Sequence, residues 1–355
     1  MKSSIAKILS LTFTCAMASA CYEDNSFLKK NTQEALLQSD LTQGQIGPVP
    51  PYVWTSLAAP DLYPVDQQEH YANTVVTLND EVYSMFGWGD HEVIHKLNQS
   101  RMRWERVTGM SRSFKPGGHL AFSRGSKLYF LSKYEVDGQE NFFGCVNPFT
   151  GVRTTLSPFP GTVCREYTFF VIGSKGYVAG GLYGSSNTYS DQLWEYDIVS
   201  DHWADKGRLP GGARSGGSAF VIGNYVYLGF GIDSPYGSGT HYRKDWVKFS
   251  PGSQFYVTLP DFPVTGRLSG RYEARGFVLK DKIYVGWGNS GDLSANDFWE
   301  YDPGDDEWTR KADCPATTGL SNVNAFSIGN AGYVVVGNLK RFSRYANTSL
   351  ILTSN

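Results

Sequence analysis

Two glutamates, Glu166 and Glu273, stand at equivalent places of the third and fifth repeats, and near such places in the repeats stand Arg165, Arg214, Arg271 and Arg275. A carboxylate can serve as a general base, and a guanidinium fork holds anionic or polyhydroxylated ligands through paired hydrogen bonds. Glu166 and Glu273 are therefore the candidates for a catalytic base. The same mixture of charges also forms ordinary ion-pair networks around a wet channel, a reading with no chemistry in it. A second set is aromatic: Trp88, Tyr134, Tyr183, Tyr189, Tyr236, Tyr242 and Trp287 lie in or beside glycine-rich stretches such as 229–239. Flat rings with polar edges suit the faces of sugars, although they also pack against one another. Arg165, Arg214, Arg271, Arg275, Trp88, Tyr183, Tyr236 and Trp287 are the expected ligand-binding residues.

Other chemistries find less support. There is no Ser-His-Asp motif, CxxC pair or phosphate-cradling glycine loop. Asp292, Asn296 and Asp297 could hold calcium, but their spacing matches no calcium loop and suits a capped turn. No cofactor and no metal are expected. The 32 basic and 34 acidic side chains nearly cancel and form no basic run, which argues against nucleic acid as a partner. Of five cysteines, Cys145, Cys164 and Cys314 fall in the main body, an odd number, so at least one should be free.

The elements that must position these residues are periodic. Six segments align on Tyr83, Tyr129, Tyr177, Tyr227, Tyr284 and Tyr333, at intervals of 46, 48, 50, 57 and 49 residues. Three and four positions before each tyrosine stand Asn79-Asp80, Gly125-Ser126, Gly173-Ser174, Gly223-Asn224, Lys280-Asp281 and Gly329-Asn330, mostly the chemistry of two-residue hairpin turns. Seven before it lie Val76, Phe122, Phe170, Phe220, Phe277 and Phe326; four after it stands glycine, except at Lys133. A third strand follows, and seven residues lead from Leu97, Val146, Tyr196, Phe249 and Tyr301 to Trp104, Arg153, Trp203, Tyr256 and Trp308 in a fourth. The sixth unit reaches its third strand at Leu350-Ile351-Leu352, while an extra Trp54 precedes the first unit, so the N-terminal strand supplies the missing fourth. The spacing predicts an all-β, six-bladed propeller over 52–355, with units near 70–110, 115–160, 164–210, 214–262, 271–314 and 320–355 plus 52–58.

The first residues place Lys2 and Lys7 before an apolar run over 8–17, too short to span a bilayer. Ala18-Ser19-Ala20-Cys21 resembles the lipobox of bacterial lipoproteins, which implies a signal peptide over 1–20 and Cys21 as the lipidated, palmitate-type anchor; an ordinary secretory signal cut near this site is the alternative. The polar stretch up to Pro51, ending Gly47-Pro48-Val49-Pro50-Pro51, reads as a flexible tether, so 21–51 is lipidated cysteine plus linker.

The glycine pair Gly180-Gly181, the anchoring tyrosine and the later tryptophan resemble kelch repeats, and the phrases AFVIGNYVY and FWEYDPGDDEW resemble kelch lipoproteins of Gram-negative bacteria. The resemblance implies a kelch-type propeller whose loop face carries the function. It also raises copper, since the galactose-oxidase family shares this fold. His119, Tyr71, Tyr167 and Tyr272 lie near inner-strand starts, but nothing here resembles that family's ligand motif, and copper is not expected. The expectation is a non-enzymatic lipoprotein of the cell envelope, at the outer membrane, that binds a glycan or a protein partner. The alternative is a carbohydrate mutarotase or epimerase acting on an acidic sugar, because kelch propellers include sialic-acid mutarotases. A structural part of an envelope assembly is the third reading.

Overall fold

The computed structural model describes residues 52–57, 72–86, 93–101, 103–107, 118–132, 142–162, 164–183, 188–235, 239–253, 255–264, 269–290, 293–295, 297–314, 323–336 and 341–347. The leader and tether expected over 1–51 lie outside them. Among the described residues every regular element is a strand, and no helix is long and apolar enough to cross a membrane.

The tyrosine register is the register of the inner hairpins. Each aromatic or valine seven positions upstream pairs directly with its tyrosine: Val76 with Tyr83, Phe122 with Tyr129, Phe170 with Tyr177, Phe220 with Tyr227, Phe277 with Tyr284 and Phe326 with Tyr333. Four of these pairs stack, with ring centroids 4.8 Å apart for Phe122 and Tyr129 and 4.8 Å for Phe170 and Tyr177; Phe277 on Tyr284 and Phe326 on Tyr333 are the others. The turns between them need left-handed backbone, and Asn79-Asp80 and Lys280-Asp281 adopt it at both central positions, with φ of 51° and 60°, and 51° and 58°. That geometry matches the twist of the flanking strands, which is why short hairpins favour it.

The outer hairpins obey the second spacing. Leu97 pairs with Trp104, Val146 with Arg153, Tyr196 with Trp203, Phe249 with Tyr256 and Tyr301 with Trp308. Where the second unit has Arg153 in place of tryptophan, its outer strand shrinks to Arg153–Thr155 but stays in register. Three tryptophans also tie the third, fifth and sixth sheets each to the one before it. Trp203 Nε1 donates to Ser157 O at 3.0 Å, Trp308 Nε1 to Pro260 O at 3.1 Å, and Trp54 Nε1 to Ala312 O at 2.9 Å.

Six four-stranded antiparallel sheets result. Their inner strands, Ala72–Leu78, Gly118–Arg124, Thr168–Ile172, Ser218–Ile222, Arg275–Leu279 and Val323–Ile328, follow one another side by side, and the last lies beside the first. Between every two neighbouring sheets sits one apolar cluster, from Tyr83 and Phe130 between the first and second to Trp104 and Phe326 between the sixth and first. A sheet buried on both faces in this way removes most of its apolar area from water, at about 25 cal/mol per Å². The fold is an all-β propeller.

Tyr52–Ser56 is the outermost strand of the last sheet, pairing Trp54 with Tyr345, so the two ends of the described chain close the circuit together. One expectation is corrected here. The third strand of the last sheet is Arg341–Asn347, not Leu350–Leu352, because the link after Ala331–Val336 spans only 337–340, whereas the links in the third to fifth sheets are lengthened by loops.

Recurrent polar clusters sit on the sheets. Tyr177 Oη donates to Glu195 Oε2 at 2.8 Å, and Lys175 binds the other oxygen; Lys282 and Lys311 hold Glu300 at 3.1 Å each. Burial by itself would push both carboxyls up, but hydrogen bonds from Lys175 and Tyr177 to Glu195, and from Tyr284, Lys282 and Lys311 to Glu300, outweigh it, and both lie below the ordinary 4.5. Native carboxylates that bind protons less readily than unfolded ones contribute stability above 4.5 and lose it as the pH falls through their folded values. The melting temperature is therefore expected to drop between about pH 5 and 3. The double variant Glu195→Gln/Glu300→Gln, less stable at pH 6, should lose clearly less over that interval in circular-dichroism melts.

Candidate functional site

Eleven positions before the anchoring tyrosines of the third, fourth and fifth sheets stand Glu166, Gly216 and Glu273, with left-handed φ of 62°, 63° and 53°. Such a backbone costs a non-glycine residue roughly 1 kcal/mol and persists only where the surroundings impose it. Here the imposition is a chain of backbone hydrogen bonds from sheet to sheet. Gly216 N donates to Glu166 O at 3.1 Å, and Glu273 N donates to Gly216 O at 2.9 Å. Glycine is required at the middle position because a Cβ there would come within 2.3 Å of the Tyr272 ring.

This chain of bonds stands at the mouth of a cavity of about 420 Å³ enclosed by the inner strands. Glu166, Glu273 and Arg275 line it, with Thr168, Ser218 and Asn324 among its polar walls. Ser215, fully buried, donates its Oγ hydrogen to Glu166 Oε2. Arg165 Nε lies 3.7 Å from Glu166 Oε1, and Arg275 Nη2 lies 3.5 Å from Glu273 Oε1. The two glutamates are thus brought to one mouth, each with a cation beside it. The short sheet in which Leu182–Tyr183 pairs both Cys164–Arg165 and Thr188–Tyr189 places Arg165 exposed and Tyr183 half-buried. Tyr189 donates to Ser234 O at 2.8 Å, joining this loop to that of the fourth sheet, and burial first, then the Glu166 carboxylate, push its hydroxyl up.

Three expected ligand-binding residues are not available to a ligand. Arg214 and Arg271 have wholly buried side chains. Arg271 Nη2 binds Asp297 at 2.6 and 2.7 Å, and Arg214 Nη2 binds Asp245 Oδ2 at 2.7 Å and Gly211 O at 2.9 Å. Each arginine clamps the segment that leads into its third strand, since Asp245 precedes Trp246 and Asp297 precedes Phe298. Trp287 is also fully buried, with φ of 59°, and packs on Phe298 and Trp54. The sequence marked these residues by type and spacing, but in a closed ring the same spacing turns them inward. Tyr242 and Tyr272 likewise belong to a buried cluster with Ile232, and Tyr167 packs edge-on against Phe159 and tilted against Phe169. Asp297, considered as a calcium ligand, is spent on Arg271. Trp88, Tyr134, Tyr236, Tyr71, Asp292, Asn296 and Cys21 lie outside the described residues, as do the side chains of His119 and Cys164. Cys145 is a free thiol, and both it and Cys314 are buried.

Sequence reasoning missed the partners, although a signal was present. Where the arginine thirteen before the tyrosine is replaced by Cys164, the residue before Leu193, which holds the register place of Trp246 and Phe298, is Gln192 and not aspartate. It also missed a relay of alternating charge in the fourth sheet. From Asp245 it runs through Arg243, at 2.7 Å, to Asp233, at 2.9 Å from Arg243, and ends at exposed His241, 2.7 Å from Asp233. Burial would push the Asp245 carboxyl up, but hydrogen bonds from Arg243 and attraction to Arg214 hold it below its ordinary value.

Removing one member of a buried pair strands the other. Arg271→Ala or Asp297→Ala is expected to cost about 3–5 kcal/mol in urea unfolding, and the double variant Arg271→Met/Asp297→Leu less than either. Arg165→Ala, at an exposed site, should stay within about 0.5 kcal/mol of the parent.

No family model matches the chain. Among curated proteins it is similar to Kelch-like protein terF of Aspergillus terreus, 26% identical over 180 residues, covering 47% of this chain and 38% of the relative. It is also similar to Kelch-like protein 25 of Xenopus tropicalis, 25% identical over 215 residues, 59% of this chain and 33% of that one. The chain thus spans about a third of the length of these relatives. Among solved structures, that of YjhT superposes with a TM-score of 0.60 at 15% identity, covering 81% of this chain and 96% of the other. The register of the hairpins, the six sheets and these likenesses together support a kelch-type β-propeller.

Proposed function

We propose that this chain is a non-enzymatic binding propeller of six blades, held to a bacterial cell envelope through a lipid on Cys21, that takes a glycan at the mouth of its central cavity. The observation that carries the reading is the charge balance of that mouth. Glu166 and Glu273 each face one arginine, Arg165 at 3.7 Å and Arg275 at 3.5 Å, distances that leave both carboxylates hydrogen-bonding capacity. Neutral, hydroxyl-rich ligands donate to such oxygens without bringing charge of their own. An acidic sugar would meet repulsion from Glu166 and Glu273 and compete with them for Arg165 and Arg275, since Arg214 and Arg271 are spent on Asp245 and Asp297. This weighs against the acidic-sugar mutarotase reading and for a neutral glycan. Propellers of kelch type are suited to ligand and protein binding by their loop face, and a cavity of about 420 Å³ falls in the range of small-ligand sites.

The test is proton NMR of the protein with neutral and acidic sugars, followed for saturation transfer and for anomeric exchange. Saturation transfer to neutral sugars, without faster exchange and weakened about ten-fold or more in Glu166→Gln/Glu273→Gln, is the expected result. Faster anomeric exchange abolished by the same substitutions would replace binding by catalysis. No transfer from any sugar would move the function to a protein partner.

A further inference from the structure

The outer strand of every sheet carries a row of backbone groups that no further strand of the sheet pairs, which makes it a template for another chain unless it is protected. The six outer strands serve as one another's controls. Arg103–Arg106 carries Arg103, Glu105 and Arg106, and Glu307–Lys311 carries Glu307, Arg310 and Lys311. His202–Arg208 has Asp205, Lys206 and Arg208 and an irregularity in its register. Arg153–Thr155 is three residues long and begins with a charge, and Tyr52–Ser56 is half-buried up to its last residue.

Tyr256–Leu259 has none of these devices. It is uncharged and regularly paired on its inner side, from Tyr256 opposite Phe249 to Leu259 opposite Trp246. With the residue before it, it exposes Phe255, Tyr256 and Val257 to 85%, 50% and 57%, the one run of consecutive exposed large hydrophobics among the described residues. Alongside runs an open groove of about 840 Å³ between the third and fourth sheets, walled in part by Leu193, Leu209, Pro210, Phe249 and Tyr256.

We propose that Tyr256–Leu259 is a self-association edge, on which the same strand of a second copy pairs antiparallel across a twofold axis and joins two four-stranded sheets into one of eight strands. The chemistry selects a second copy because the strand is self-complementary. Paired with itself about an axis through Val257 it sets Tyr256 opposite Thr258 and Val257 opposite its own copy, apolar against apolar or hydroxyl, with no like charges in register. Backbone hydrogen bonds supply the attraction, and the groove gives room to alternate side chains of the added strand. Four paired residues are a small part of the 20–30 a side in a standard interface, so the dimer is weak and reversible, with Kd on the order of 10–100 μM.

The test uses the full chain carrying Cys21→Ser, so that no acyl group is attached, in sedimentation velocity from about 1 to 300 μM. The weight-average sedimentation coefficient should rise with concentration, and Val257→Lys should raise the dimer Kd at least about ten-fold while leaving the melting temperature unchanged. Deuterium exchange of the amides over 256–259 should slow as concentration rises in the parent and not in the variant. A parent that stays monomeric throughout, a variant that associates as the parent does, or exchange over 256–259 that ignores concentration would each overturn the proposal.

Discussion

The structure depends on how closely the backbone of one sheet approaches the segment leading into the next. Gly181 N donates to Arg214 O at 2.8 Å and Gly231 N to Arg271 O at 2.7 Å, and a Cβ on Gly231 would stand 2.5 Å from Ser215 O. Only a residue without a side chain, in a backbone region that L-residues avoid, permits this contact. The consequences reach both ways along the chain. Inward, the lead-in segments become a linked rim that forces Glu166 and Glu273 into left-handed conformations at the cavity mouth. Outward, they fix where each inner hairpin begins, and so which aromatic meets which tyrosine in the clusters between sheets.

The same approach decides what the arginines do. A guanidinium thirteen residues before the tyrosine starts on the rim, but its backbone carbonyl is already engaged by the glycine of the preceding sheet in Arg214 and Arg271. The side chain then runs into the sheet and meets the aspartate that opens the third strand. Burying a charge is costly unless it is paired and hydrogen-bonded, so each arginine comes with its aspartate, and the third sheet, with Cys164 in the arginine's place, has Gln192 in register with the aspartates. Among the described residues the mouth keeps Arg165 and Arg275, one per glutamate. In the fourth sheet the charge pairing extends through Arg243 and Asp233 to His241, which anchors the long loop between its second and third strands to the rim.

A closed ring hides two edges of each sheet's neighbourhood, the faces and the inner rim, and leaves the outer strands to solvent. Most of them are guarded by charge, brevity or irregularity, so the unguarded Tyr256–Leu259 stands out by comparison within one molecule. Internal repetition supplies this kind of contrast because all six outer strands hold the same place in the architecture and differ only in their side chains.

The periods of the sequence were enough to determine the strands and their pairing. Both the seven-residue spacing across the inner turn and that across the outer one reappear as directly opposed residues, because a two-residue turn fixes register and register is local. Trp54 was legible as the missing strand for the same reason: it repeats a place that the last unit leaves open. The third strand of the last sheet was misplaced because a loop of variable length precedes it, and spacing carries no information across such a loop. The site was legible only in part. That Glu166 and Glu273 share a place followed from the repeat, but that Arg214, Arg271 and Trp287 face inward did not, since residues as near in the chain as Arg271 and Arg275, four positions apart, differ in burial. Only closure of the ring decided which charged and aromatic groups meet solvent, because burial is set by what the neighbouring sheet brings, and no single repeat contains its neighbour.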